Sequence, residues 1–183
     1  MKIAFLYAGQ GSQRVGMGRD LYDASPAFRA AFDAGHLDFD LHALCFEGAQ
    51  ETLNQTQYTQ PCMVAFACGV TAALFDAGLR PDYVAGLSLG EYSALEASGV
   101  LTAKSAIELA AYRGAAMAKA SEGIQSAMTA VLGLDREALT RCCEEAGALG
   151  VVQICNYNCP GQIVIGGEAA AVARAGELAK EAG

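Results

Sequence analysis

The 183-residue sequence predicts an α/β chain in two units: a parallel-sheet core over 1–122 and a smaller ferredoxin-like unit over 123–183. Three observations predict it. Short β-rich runs alternate with apolar helical stretches in the first two thirds, the rhythm of a parallel sheet. A serine stands between two glycines, Gly86-Leu87-Ser88-Leu89-Gly90, at the end of one such run. After Glu122-Gly123 the order becomes strand, helix, strand, strand, helix, and these are the first five elements of a β-α-β-β-α-β unit.

Lys2–Tyr7 is apolar, β-rich and followed at once by glycines, which suits a buried first strand. A loop, AGQGSQ, leads into a helical stretch through about Phe32, and 36–60 mixes short helix with loop. Pro61 fits the first turn of an apolar helix ending near Gly78. Tyr83–Leu87 is a second apolar strand and Leu89–Ser98 a helix, with Gly99 suited to its C-terminal cap. Thr102 is the expected N-cap of a helix over 103–120. In the second unit, 127–134 reads as a strand and 135–147 as a helix. Residues 151–158 and 162–167 read as strands joined by a tight Cys-Pro-Gly turn, and 168–183 as a helix. With no closing strand, one edge of that small sheet has unpaired N–H and C=O groups. The unit therefore reads as cut one element short, with a three-stranded variant as the alternative.

Composition narrows the function. Hydrophobic residues make up 53% and charged residues 17%, which fits a packed core and not a disordered chain. The net charge of −8 argues against a general binder of nucleic acid or of anionic membrane. The opening MKIAFLYAGQG does not read as a signal peptide, because Gly9-Gln10-Gly11 cuts its apolar run short. The longest apolar stretch, 62–75, is shorter than the roughly 20 residues of a membrane span and reads as a buried helix. Seven cysteines, with no C-x-x-C and with Cys142-Cys143 adjacent, read as thiols in a reducing, cytoplasmic setting. A catalytic or metal-binding cysteine is the alternative, without a visible cysteine–histidine cluster to favour it.

The G-x-S-x-G pattern between a strand and a helix is that of a nucleophile elbow, as in hydrolase-like α/β cores. The turn is so tight that its neighbours must be small, and the following helix directs backbone N–H groups at an oxyanion. The alternative is that Ser88 merely caps that helix. The glycine loop 8–16 does not fit a nucleotide loop: Arg14 stands where the third glycine would be, and Met17 follows Gly16 where lysine would. It leaves the end of strand one, where ligands gather on a parallel sheet, so the Gln10 N–H is a second candidate oxyanion donor. Arg113 falls on a mostly apolar helix stripe with Leu109, Ala110 and Met117. Such an arginine either snorkels to water or pairs with an anion in a pocket.

Five stretches occur in a fixed order: YAGQGSQ (7–13), TQPCM (59–63), GLSLGEYSAL (86–95), AYRGAAM (111–117) and NYNCPGQIVI (156–165). Together they resemble the malonyl-CoA:acyl-carrier-protein transacylases of fatty acid synthesis, over essentially the whole chain. The resemblance implies that Ser88 takes malonyl from CoA as an ester and passes it to the phosphopantetheine thiol of acyl carrier protein. It implies an oxyanion hole from the backbone N–H groups of Leu89 and Gln10. Arg113 would pair with the free malonyl carboxylate, Gln60 would line the pocket, and Asn158 would contribute from the small subdomain. No metal or redox cofactor is implied. Leu87 departs from the family, which usually has histidine there. The family's general-base histidine would lie beyond Gly183, and neither His36 nor His42 matches it. The expectation is therefore the N-terminal part of such an enzyme, both units cut short at the C-terminus, with little turnover alone. A serine esterase-type hydrolase and a non-catalytic fragment binding acyl-CoA or carrier protein are the alternatives.

Overall fold

The computed structural model describes residues 2–183, which divide into two compact units, one ending at Ala120 and one spanning Ser121–Gly183. In the first, β1 (Ala4–Tyr7) and β2 (Tyr83–Gly86) pair in parallel, Ala4 opposite Tyr83 and Tyr7 opposite Gly86. Five main helices join and follow them. These are α1 (Arg19–Ala24), α2 (Pro26–Phe32), α4 (Thr56–Asp76), α5 (Gly90–Ala97) and α6 (Ala103–Ala120), with the single turn α3 (Gln50–Leu53) and a π-helical turn at Ala43–Glu47 between α2 and α4.

Most of these elements end where their chemistry says they should. Thr102 Oγ1 accepts from the Ser105 N–H at 3.1 Å at the start of α6. Gly99 sits at φ 81 just beyond α5, with its N–H on the Glu96 carbonyl, as a glycine cap requires. Three expectations are corrected. The helix expected through Phe32 is broken in two, because Ser25 caps α2 by accepting from the Phe28 N–H and Pro26 opens it. Pro61 is not in a first turn: α4 begins five residues earlier, so the ring costs the bond to the Gln57 carbonyl while the helix continues through it. Nor is β1 buried on both faces. Phe5 and Tyr7 are half-buried, whereas Leu6 is 79% exposed and, in β2, Tyr83 is 65% exposed.

Helix α4 is the centre of the unit. At 21 residues it is long and apolar enough by composition to cross a membrane, yet ten of its residues are buried against the protein's own core. Phe28 and Phe32 of α2, Leu53, Val64, Leu89 and Ile107 are all fully or almost fully buried in that core. A helix that is apolar on every side belongs inside a protein.

In the second unit, β3 (Ser126–Leu132), β4 (Val152–Cys159) and β5 (Gln162–Glu168) form an antiparallel sheet in the order β3-β5-β4. Helices α7 (Arg136–Ala146) and α8 (Ala169–Ala182) cover it through Leu139, Ile165, Val172 and Ala175. Asp135 caps α7 by accepting from the Ala138 N–H at 2.8 Å, and Gly161 makes the β4–β5 turn at φ 81. The order is that of a β-α-β-β-α unit with β3 at a free edge. All seven cysteines are free; Cys155 and Cys159 are exposed and the other five buried.

Candidate active site

Ser88 lies two residues beyond β2, and it is the one non-glycine residue at positive φ (52°) among the described residues. An L-residue held in the left-handed region costs on the order of 1–3 kcal/mol and persists only where the surroundings enforce it. Here the surroundings can be named. A Cβ on Gly86 would lie 2.1 Å from the Gly90 carbonyl carbon, and one on Gly90 would lie 2.2 Å from the Tyr7 carbonyl oxygen. Neither glycine can carry a side chain. The Leu87 N–H donates to that same Tyr7 carbonyl at 3.1 Å, which fastens the elbow to the end of β1.

The helix after the elbow starts one residue later than the sequence suggests. The Gly90, Glu91 and Tyr92 N–H groups bond to the carbonyls of Leu87, Ser88 and Leu89 at 3.0–3.2 Å. The first turn therefore satisfies itself, and the Leu89 N–H is left without a partner among the described residues. The Leu89 side chain is buried and pins the peptide carrying that N–H. The Gln10 N–H is likewise unpartnered among the described residues. Its loop touches the elbow, since a Cβ on Gly9 would meet the Leu87 carbonyl oxygen at 2.9 Å.

Arg113 does not snorkel to water. Its Nη2 donates to Ser88 Oγ at 3.1 Å and its Nη1 to Gln60 Oε1 at 2.8 Å. Gly114 makes this possible: a side chain there would strike the Thr56 carbonyl at 2.8 Å, so its absence lets α6 cross close to α4. Gln60 is fully buried, and its amide sense is fixed because Nε2 donates to Met117 Sδ at 3.3 Å. The Tyr92 ring lies 5.9 Å from the guanidinium carbon, within cation–π range. Among the described residues, no carboxylate forms an ion pair with Arg113. The site thus holds a half-buried cation, already oriented, beside a strained serine.

Neither histidine is a partner of Ser88 among the described residues. His42 Nε2 meets Asp33 Oδ1 at 2.8 Å, and its ring packs edge-on against Tyr22, Phe32 and Phe46. His36 donates its backbone N–H to Glu108 and lines a groove with Phe39 and Tyr58. Asn158 belongs to the second unit, where its side-chain amide donates to Gln162 Oε1 at 2.9 Å.

Behind the elbow is a small buried polar cluster that nothing in the sequence pattern singles out. The Tyr7 hydroxyl shares a hydrogen bond with Thr71 at 2.8 Å. Glu96, at the end of α5, has a buried Oε2 without a hydrogen-bond partner. Burial pushes its carboxyl up to about 7, against a smaller opposing effect of the Cys68 thiol bonded to it. Burial, with Glu96 alongside, raises the Cys68 thiol in turn. Tyr7 is also raised, by burial first.

Comparison with known proteins fits this geometry. The malonyl CoA-acyl carrier protein transacylase of Bacillus subtilis is 45% identical over 185 residues, covering all of this chain and 58% of that protein. That of Escherichia coli K12 is 40% identical over 189 residues, again covering the whole chain and 60% of the relative. Among solved structures, MCAT from Streptococcus pneumoniae superposes with a TM-score of 0.86 at 48% identity, covering 100% of this chain and 60% of that one. A malonyl-transacylase solved in complex with its type II PKS acyl-carrier protein does so at 0.89 and 41% identity, with coverage of 100% and 60%. The chain thus spans about 60% of the length of the relatives it matches. Residues 4–183 match the family described as acyl transferase domain, and the chain belongs to that family.

Proposed function

We propose that this chain carries the acyl-accepting half of a malonyl-CoA:acyl-carrier-protein transacylase of fatty acid synthesis. The observation that carries the reading is Arg113: a guanidinium held 3.1 Å from Ser88 Oγ with no carboxylate partner among the described residues. An acyl group that ends in a carboxylate supplies the missing anion, and the planar fork suits a bidentate pair. Acetyl does not.

In this reading Ser88 Oγ attacks the thioester carbonyl of malonyl-CoA. The oxyanion is met by the Leu89 and Gln10 N–H groups, the C–S bond breaks, and CoA leaves as the protonated thiol. The malonyl ester on Ser88 is then attacked by the phosphopantetheine thiol of acyl carrier protein, which regenerates the serine. The carboxylate on Arg113 holds the acyl group through both steps, with Gln60 fixing the guanidinium from behind. The reaction uses no metal or redox cofactor, and the setting is cytoplasmic. The base that takes the Ser88 proton comes from outside these 183 residues. The chain alone therefore loads slowly and does not turn over at an enzymatic rate, since loss of a triad histidine leaves roughly 10³–10⁴-fold over water.

Intact-mass measurement during incubation with malonyl-CoA tests this. A gain of one malonyl group over hours, absent in Ser88→Ala, is the expected result. Extension by the C-terminal part found in the relatives should accelerate it by orders of magnitude. A chain that never gains the mass, or gains acetyl from acetyl-CoA equally well, removes the reading; equal acetyl loading would favour an esterase-type hydrolase.

A further inference from the structure

The loop that carries Gln10 is tied down by a set of side-chain amides outside the site described above. The Gly11 N–H donates to Gln13 Oε1 at 2.8 Å. Gln13 Nε2 donates to Asn54 Oδ1 at 2.8 Å, and Gln50 Nε2 donates to the same oxygen at 2.8 Å. Gln50 Oε1 in turn accepts the Val15 N–H at 3.0 Å, and its Nε2 also reaches the Gln13 carbonyl at 3.4 Å. A separate tie holds the Gln10 side chain, whose Nε2 donates to Thr56 Oγ1 at 3.1 Å. Two amides, Gln13 from the loop and Gln50 from α3, thus share one acceptor at the α3–α4 junction, Asn54 Oδ1. Two of these bonds hold backbone N–H groups of the loop directly, those of Gly11 and Val15.

We propose that Gln13, Gln50 and Asn54 are positioning residues for acyl transfer at Ser88, locking the loop so that the Gln10 N–H keeps its place beside the elbow. This rests on the reading of Gln10 as an oxyanion donor. None of the three touches the acyl group; each acts through the loop backbone. An oxyanion donor is effective only when it is already in place as charge develops, and a glycine-flanked segment such as Gly9-Gln10-Gly11 has little intrinsic stiffness. The amides supply that stiffness. Asn54 is the keystone because its single oxygen joins the two glutamines.

Two measurements on the 183-residue chain test this, using Asn54→Ala and Asn54→Asp. Asn54 is exposed, so neither change threatens the core. The first is amide hydrogen exchange. In Asn54→Ala, Gly11 and Val15 should exchange roughly tenfold faster. Gly16, whose N–H is held by the Cys45 carbonyl, should not change. The second is the rate of malonyl mass gain on Ser88 as a function of malonyl-CoA concentration. The maximal rate should fall roughly tenfold to a hundredfold with the half-saturating concentration unchanged. Asn54→Asp, which keeps an oxygen for both amides, should restore both readouts. Unchanged exchange at Gly11 and Val15 overturns the proposal, as does a loosened loop with an unaltered loading rate or a failure of Asn54→Asp to restore it. A wild-type chain that gains no malonyl mass defeats the functional reading itself. That failure is seen before any variant is made.

Discussion

Replacing Glu96 by glutamine removes one titration from behind the Ser88 elbow while keeping the side chain's length. In the native chain the carboxyl stands at about 7, against an ordinary value of 4.5, so the folded state holds its proton more tightly than the unfolded state does. A group raised in this way contributes stability that is fully present below about pH 4.5 and is lost as pH rises through about 7. At about 1.4 kcal/mol for each pH unit the full effect would be roughly 3 kcal/mol. The side chain is partly open to solvent, which screens the buried charge and reduces this to about 1–2 kcal/mol. The groups facing it are the Cys68 thiol from α4 and Tyr7 from β1, neither of them a cation that would hold the charge. Glu96→Gln should therefore gain about 1–2 kcal/mol relative to wild type at pH 8.5 over its standing at pH 5. Urea unfolding at both pH values, followed by circular dichroism, reads the difference directly. Any effect of the amide on packing is common to both pH values and cancels. An offset between variant and wild type that is the same at both pH values, or that turns against the variant at pH 8.5, would show that the carboxyl is not held protonated.

Three further outcomes follow from the geometry. Arg113→Ala should slow malonyl loading of Ser88 at least a hundredfold while leaving hydrolysis of an uncharged ester within a few-fold, measured side by side by intact mass and chromogenic ester cleavage. Gly90→Ala should destabilise the chain by more than about 2 kcal/mol and abolish loading, because its methyl would stand 2.2 Å from the Tyr7 carbonyl; denaturant midpoints and mass gain check both. Brief alkylation of the native chain should modify Cys155 and Cys159, leaving the five buried thiols to react only in denaturant, as peptide mapping will show.

The fold was legible where local chemistry decides it. The caps at Thr102 and Gly99 and the turn at Gly161 follow from residue type and position, and they lie where the sequence puts them. The elbow was legible because so tight a turn leaves no room for a Cβ at positions 86 and 90, and that need is written in the spacing. What escaped depends on contacts between distant segments. Arg113, read on its own helix, left snorkelling and anion pairing both open, and only the Gly114 crossing of α4 brings it to Gln60 and Ser88. Nothing in the sequence marks Glu96, because its burial is decided by β1 and α4. The Gln13–Asn54–Gln50 set spans 41 positions of sequence, and no pattern of glutamines and asparagines announces it. The Ser25-Pro26 break was different: a cap followed by proline is a local signal, and it was there to be read.

The joint between β1 and the elbow has one more consequence. The Tyr7 carbonyl accepts the Leu87 N–H and also stands where a Gly90 side chain would be, while the Leu87 carbonyl stands where a Gly9 side chain would be. Each strand end therefore blocks the other from sliding. When thermal motion displaces the strand pair, the serine and the Gln10 loop travel together, like two marks scribed on one plate. Their separation then fluctuates less than either position does, so the spacing that the proposed acyl transfer needs is kept even where this sheet is only two strands wide.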